Sequence, residues 1–156
     1  SGYNLRPTDI QAAIAENQLK RLDKFIKIRN QNRDIIIKKI KKSNNWNEQF
    51  RFVKINKKIS SSWFGLPILI NEKFENKKKD FLKFLTKKGI ENRPILSGNF
   101  LNQPSIELYG LKTKKNNFID AQKVEDLGFF IGLHTSKLSN KLADYIVKNL
   151  LSIDKI

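Results

Sequence analysis

Apolar side chains recur at helical spacing in several long stretches of this chain, with short dense apolar runs between them. Ile10, Ala13 and Ile14 share one helical face, and Leu19 and Leu22 follow. Leu22, Phe25, Ile26, Arg29, Arg33, Ile36, Ile37 and Ile40 continue a helical period to about Lys42. Thr8 with Gln11 three residues on predicts the start of the first helix as a capping box. Pro7 lacks an N–H and holds Arg6 out of the helical region, so residues 2–6 should be extended. A bend is expected near Leu22 and Asp23, with Asp23 capping a second helix. Ser43, Asn44 and Asn45 should close that region, because such side chains bond their own backbone and favour turns.

Residues 50–55 alternate bulky apolar and basic side chains and predict a strand. Residues 60–70 predict a second, mostly buried one. Pro67 cannot donate to a ladder there and is expected at an edge or a bulge. Trp63 and Phe64 suit a core, and Gly65 after them marks a place where a ring or backbone can come close. Residues 76–88 read as an amphipathic helix with Phe81, Leu82, Phe84 and Leu85 inward and Gly89 as its stop. A third strand is expected over residues 90–96. An irregular stretch over residues 106–115 follows, with a turn at Tyr109-Gly110. Residues 119–127 form a short helix ending at Gly128, and residues 129–134 a last buried strand. Ser139 caps a final helix on whose period lie Leu142, Tyr145, Ile146, Asn149, Leu150 and Ile153. The fold class is therefore α+β, a small mixed or antiparallel sheet flanked by helices, with no internal domain boundary.

Charge changes this picture less than its size suggests. The formal net charge of +16 invites a nucleic-acid reading, since neutralising phosphates needs a basic footprint. The excess is mostly lysine spread along the whole chain, however, while arginine, the residue of bidentate recognition, is scarce. Lys38-Lys39, Lys41-Lys42, Lys77-Lys78-Lys79 and Lys114-Lys115 are expected on solvated faces. A basic nucleic-acid-binding module stays as the alternative of another class, beside a structural remnant that binds nothing. Zero cysteines exclude disulfides, thiolate metal sites and cysteine nucleophiles. One histidine, His134, with scattered carboxylates builds no metal site, and glycine is too sparse for a phosphate loop. No apolar run approaches the ~18 residues of a membrane span, and no signal peptide is visible, so a cytoplasmic location is expected. The chain has no methionine and opens inside a motif, as a fragment or processed form would.

Two stretches carry candidate chemistry. The opening residues deliver a glycine, an aromatic ring, an amide and a guanidinium to a helix N-terminus, a combination suited to an anionic group. The segment from Arg93-Pro94 to Gln103-Pro104 is dense in donors and acceptors fit for hydroxyls and phosphates. His134 has no partner that the sequence identifies, and a structural role suits it better than that of a general base.

Gly2-Tyr3-Asn4-x-Arg6-x-Thr8-Asp9-Ile10-Gln11-Ala12-Ala13-Ile14, then Gln18-Leu19-x-x-Leu22-Asp23 and Arg29, resembles the signature of the DegT/DnrJ/EryC1/StrS family. These are pyridoxal-phosphate-dependent enzymes acting on nucleotide-linked keto sugars. Ala15 stands where the family usually has glycine, and both are small. The resemblance implies the C-terminal small domain of a fold-type I enzyme, with residues 1–156 forming that single domain and its leading interface helices. The cofactor-binding lysine region lies upstream of this motif in complete members, so no catalytic residue is expected here and the chain alone should be inactive. By the same resemblance Asn4 reaches the phosphate of pyridoxal or pyridoxamine phosphate in the neighbouring subunit of a homodimer with shared active sites, and Arg6 is a weaker cofactor candidate. Arg-Pro-x-x-x-Gly-Asn-Phe, starting at Arg93, resembles the branch of pyridoxamine-dependent sugar 3-dehydratases, whose segment meets the nucleotide-sugar. Arg93, Asn99 and Gln103, and less strongly Ser97, are the substrate-side residues this implies. The substrate implied is a nucleotide-linked 4-keto-6-deoxy sugar of surface polysaccharide (lipopolysaccharide O-antigen) synthesis. A sugar aminotransferase of the same family is the alternative, because the residue at the upstream cofactor position, Lys or His, separates the two.

Overall fold

A computed structural model of the chain describes residues 8–56, 58–111 and 118–156. Helix α1 (Asp9–Leu19) begins where the capping box places it. Thr8 N donates to Gln11 Oε1 at 2.9 Å, and Gln11 N donates to Thr8 Oγ1 at 3.4 Å. Helix α2 (Leu22–Lys42) follows across Lys20 and Arg21, close to the expected bend. Its N-cap is Arg21 rather than Asp23. Asp23 lies inside the first turn, where its charge faces the positive end of the helix dipole without capping it.

Four strands make one sheet in the order β1 (Phe50–Phe52), β2 (Gly65–Ile70), β4 (Gly128–Gly132), β3 (Asn92–Arg93), and every neighbouring pair is antiparallel. Of the two sheet types expected, the structure has the antiparallel one. Alternation puts Phe50, Leu66, Ile68, Ile70, Phe129 and Ile131 on one face, and all are buried. They meet Ile36 and Ile40 of α2, Phe81 and Leu85 of α3 (Lys78–Lys87), and Val147 and Leu150 of α6 (Asn140–Leu150). Phe81 is central to this core. Its ring stacks on Phe50 at 6.1 Å and meets Phe129 edge-on at 6.0 Å.

The strands are shorter than the alternation of residue types predicts, and Pro67 is one reason. It lies in β2, an interior strand rather than an edge or bulge. Asn71 N donates to Gln49 O at 2.8 Å, so residues 69 and 67 also turn their backbone groups toward β1. The pair after Phe52 and Ile68 would be Val53 and Pro67, and Pro67 has no N–H to give. Pairing stops at Phe52. Val53 O accepts from Arg33 Nη2 at 2.8 Å instead. The third expected strand shrinks to the two residues of β3. In the stretch expected to be irregular, α4 (Pro104–Leu108) forms one short helix, with Pro104 in its first turn and the turn at Gly110 as expected. A 3-10 turn over Glu72–Lys77 precedes α3, and Gly89 ends it at φ +72°. The short helix α5 (Ile119–Leu127) follows the expected bounds, and the Ser139-capped α6 ends at Leu150, with Ile153 in a 3-10 helix over Leu151–Lys155. Among the described residues, no helix is long and apolar enough to cross a membrane.

Asn32, buried on α2, ties the sheet to the helix layer. Its Nδ2 donates to His134 O at 3.0 Å and Ser136 O at 2.9 Å, and its Oδ1 accepts from Leu138 N at 2.9 Å. Asn32→Ala strands three backbone groups at once. It should lower unfolding free energy by about 2–3 kcal/mol in urea titration, whereas the exposed Asn44→Ala should stay within about 0.5 kcal/mol.

Candidate functional site

Asn4 and Arg6, with the rest of residues 1–7, lie outside the described residues, as do Lys114 and Lys115. The structure does place the second stretch singled out in the sequence. Edge strand β3 runs into a loop that turns back over residues 94–98, passes a 3-10 turn at Phe100–Asn102, and enters α4. Two left-handed residues shape it, Leu96 at φ +44° and Gly98 at φ +60°. Leu96 is 89 % exposed at the tip. A leucine in this region is uncommon and costs about 1–3 kcal/mol, so surrounding contacts must hold it.

Those contacts come from α5. Glu125 Oε2 accepts from Asn99 N at 2.7 Å and from Asn102 Nδ2 at 3.1 Å. Gln122 Oε1 accepts from Asn99 Nδ2 at 2.9 Å and Asn102 Nδ2 at 3.0 Å. Asn99 Oδ1 accepts from Leu101 N at 3.1 Å, so the Asn99 side chain is turned inward, 3 % exposed, and serves the loop's own shape. Ser97 and Gln103 are brought together, Gln103 Nε2 donating to Ser97 O at 2.9 Å. Arg93 is exposed, its Nε and Nη2 donating to Glu91 Oε1 at 2.9 Å and 2.6 Å. An exposed pair of this kind is loosely held, which leaves the guanidinium free to change partners. Arg93 and Ser97 are thus exposed and Gln103 is half-buried against Ser97, while Asn99 is buried.

Lys78 departs from the expectation of solvated lysines. It is half-buried, and its Nζ donates to Glu125 O at 2.7 Å. Burial lowers its pKa, while the charges of Asp126, Glu125 and Glu75 oppose that shift. Lys39 pairs with Asp144 at 2.6 Å.

A cavity of about 430 Å³ lies beyond the end of β4, lined by Arg29, Phe64, Ile131, Leu133, His134 and Leu142 among others. Arg29 Nε donates to Leu133 O at 3.3 Å, and its guanidinium lies 5.9 Å from the Phe64 ring. Phe64 is 70 % exposed, against the expectation of a core residue, while Trp63 packs on the core beneath Arg33. The split follows from alternation: neighbouring residues of an extended segment face opposite sides. Gly65 is the close approach its position suggested. A Cβ there would lie 2.5 Å from the Phe130 ring and 2.9 Å from Ile131 O. His134 Nδ1 accepts from Ser136 N at 2.9 Å, so its ring braces its own loop.

Glu125 and Gln122 escaped the sequence reading. Polar residues on an exposed helix face carry no signal of partners more than twenty residues away. Their one trace is Gly98, which needs φ > 0.

The profile of the DegT/DnrJ/EryC1/StrS aminotransferase family matches residues 1–151. The chain is similar to the GDP-4-keto-6-deoxy-D-mannose 3-dehydratase of Escherichia coli, with 33 % identity over 146 residues, 93 % of this chain and 36 % of that protein. It is similar also to the lipopolysaccharide biosynthesis protein RfbH of Salmonella typhimurium, with 27 % identity over 94 % of this chain and 32 % of that protein. Among solved structures it resembles the Escherichia coli GDP-4-keto-6-deoxy-D-mannose-3-dehydratase with bound hydrated PLP. There the TM-score is 0.81 and the identity 32 %, covering 96 % of this chain and 36 % of that one. The chain thus spans about a third of the length of the relatives it matches.

The loop geometry makes its own prediction. Asn99→Ala keeps the backbone bond to Glu125 but loses both side-chain bonds. Amides of residues 99–103 should then exchange with deuterium roughly tenfold faster, with a stability loss of about 1–2 kcal/mol.

Proposed function

Because the chain belongs to the DegT/DnrJ/EryC1/StrS aminotransferase family, we propose that it is the C-terminal small domain of a fold-type I enzyme using pyridoxal or pyridoxamine phosphate. The substrate is a nucleotide-linked 4-keto-6-deoxy sugar, and the reaction is removal of its 3-hydroxyl in surface-polysaccharide synthesis. The observation carrying this reading is 33 % identity, over 93 % of the chain, to a GDP-4-keto-6-deoxy-D-mannose 3-dehydratase. Sugar transamination is the second reading, favoured by the aminotransferase description of the family profile itself.

Within that enzyme this chain supplies part of each site. The Thr8–Gln11 capping box fixes where α1 starts, and the sequence just before it carries Asn4 and Arg6. An amide donor and a guanidinium suit the cofactor's phosphate, so the donor set fits that group. The cofactor, when bound, supplies the electron sink for chemistry beside the keto group. Arg93, Ser97 and Gln103 face the nucleotide-sugar, and Asn99 shapes the loop that carries them. Helix α1 fits a subunit interface in a homodimer. No residue of it is buried, and Ile10, Ile14 and Leu19 are all exposed. An isolated helix of 11 residues is marginal in water, so these side chains call for a covering surface.

The test uses the full-length, cofactor-loaded protein with a GDP-linked 4-keto-6-deoxy sugar and glutamate. Mass spectrometry should find a product lacking the 3-hydroxyl, while an amino sugar would favour transamination. Arg93→Ala should raise the KM for the sugar about ten- to a hundredfold with normal cofactor absorbance, as loss of a charge-assisted hydrogen bond implies. An unchanged KM returns the loop to a structural role. For Asn4, cofactor affinity should fall in the order Asn, Ala, Asp. Alanine removes a donor, at about 1.5–3 kcal/mol, and aspartate adds like charge beside a phosphate. Equal affinities in titrations of the three apo-proteins would remove Asn4 from the cofactor site.

A further inference from the structure

The loop of residues 93–103 owes its shape to a helix that the proposed reaction does not otherwise use. We propose that Glu125, assisted by Gln122, is the positioning residue of this loop, its carboxylate holding the turn that presents Arg93, Ser97 and Gln103 to the nucleotide-sugar. The proposal rests on the reading that this loop meets that substrate.

Glu125 and Gln122 stand one turn apart on α5, on one face. Together they accept four hydrogen bonds from Asn99 and Asn102. Gln122 Nε2 donates to Asp126 Oδ1 at 2.9 Å, which fixes its amide oxygen toward the loop. The bond from Asn99 N to the carboxylate, at 2.7 Å, is charge-assisted and stronger than a neutral one. It holds the backbone just after the two left-handed residues, Leu96 and Gly98.

Gly98 is matched to this carboxylate. A Cβ there would lie 2.8 Å from Glu125 Cγ and 2.9 Å from its Cβ and Oε2. The glutamate thus occupies the space a side chain would need. Its own main chain is anchored in turn, because Glu125 O accepts from Lys78 Nζ at 2.7 Å. The chain of support runs from α3 through α5 to the loop, and Glu125 is its middle member.

The experiment compares Glu125→Ala, Glu125→Gln, Gln122→Ala and Arg93→Ala in the full-length, cofactor-loaded enzyme. Glu125→Ala should raise the KM for the nucleotide-sugar roughly tenfold and leave kcat at saturating sugar within about twofold, the pattern of lost binding without lost chemistry. The KM for glutamate and the cofactor absorbance should not move. Glu125→Gln keeps an oxygen able to accept from Asn99 and Asn102, and should restore most of the sugar affinity. Gln122→Ala should give a smaller rise, and it carries the test alone should Glu125→Ala fail to fold. If the sugar KM is unchanged in folded Glu125→Ala, or in Gln122→Ala where that variant carries the test, while Arg93→Ala raises it, the positioning role is wrong and the loop reading stands. Unchanged values in Arg93→Ala as well overturn both. A lowered melting temperature with normal sugar KM assigns Glu125 to stability only and also overturns the proposal.

Discussion

A row of polar side chains on α2 closes this fold. Arg29, Asn30, Asn32 and Arg33 point at two loops that leave the sheet, and each meets main-chain carbonyls there. Arg29 reaches Leu133 O, Asn30 Nδ2 reaches Ser61 O at 2.9 Å, Asn32 reaches His134 O and Ser136 O, and Arg33 reaches Val53 O. Loop carbonyls pressed against a helix cannot turn to water, and each would cost about 1–3 kcal/mol if left unpaired. The row therefore allows the exits of β1 and β4 and the entry of β2 to lie flat on α2, with Ile36 and Ile40 filling the space behind.

Arg33 shows the limits of this solution. Its guanidinium lies 4.6 Å from the Trp63 ring and pairs with the exposed Asp34 at 3.0 Å, yet its Nε and Trp63 Nε1 are buried without a partner. Removing such a cation would leave Val53 O bare, because Pro67 cannot replace it. A proline in an interior strand and a buried arginine are thus two sides of one local bargain.

The functional reading divides the molecule along the same lines. The sheet and α2 form the rigid part, and the proposed substrate loop hangs from the sheet's shortest edge strand. Two paired residues cannot by themselves orient ten that follow, so orientation is delegated to α5. This is a common arrangement for binding loops, which vary in shape while a scaffold fixes their ends. Helix α1 belongs to neither part. It is well capped, exposed throughout and apolar over much of its surface, as an element meant to be covered would be.

What the sequence determined by itself is local. The Thr8 and Ser139 caps and the stops at Gly89 and Gly128 each depend on partners within about one helical turn, so residue type and spacing suffice to read them. Arg93, Ser97 and Gln103 are candidates only through the resemblance of their motif; Arg93 and Ser97 are exposed and Gln103 is half-buried. The tertiary structure alone decided the strand lengths, the interior place of Pro67, the inward turn of Asn99 and the grip of Glu125 and Gln122. The partners that settle these points are distant in sequence, 20 residues from Val53 to Arg33 and 26 from Glu125 to Asn99. A hydrogen bond across such a separation is set by how the layers pack, and a window of neighbouring residues does not contain the group at its other end.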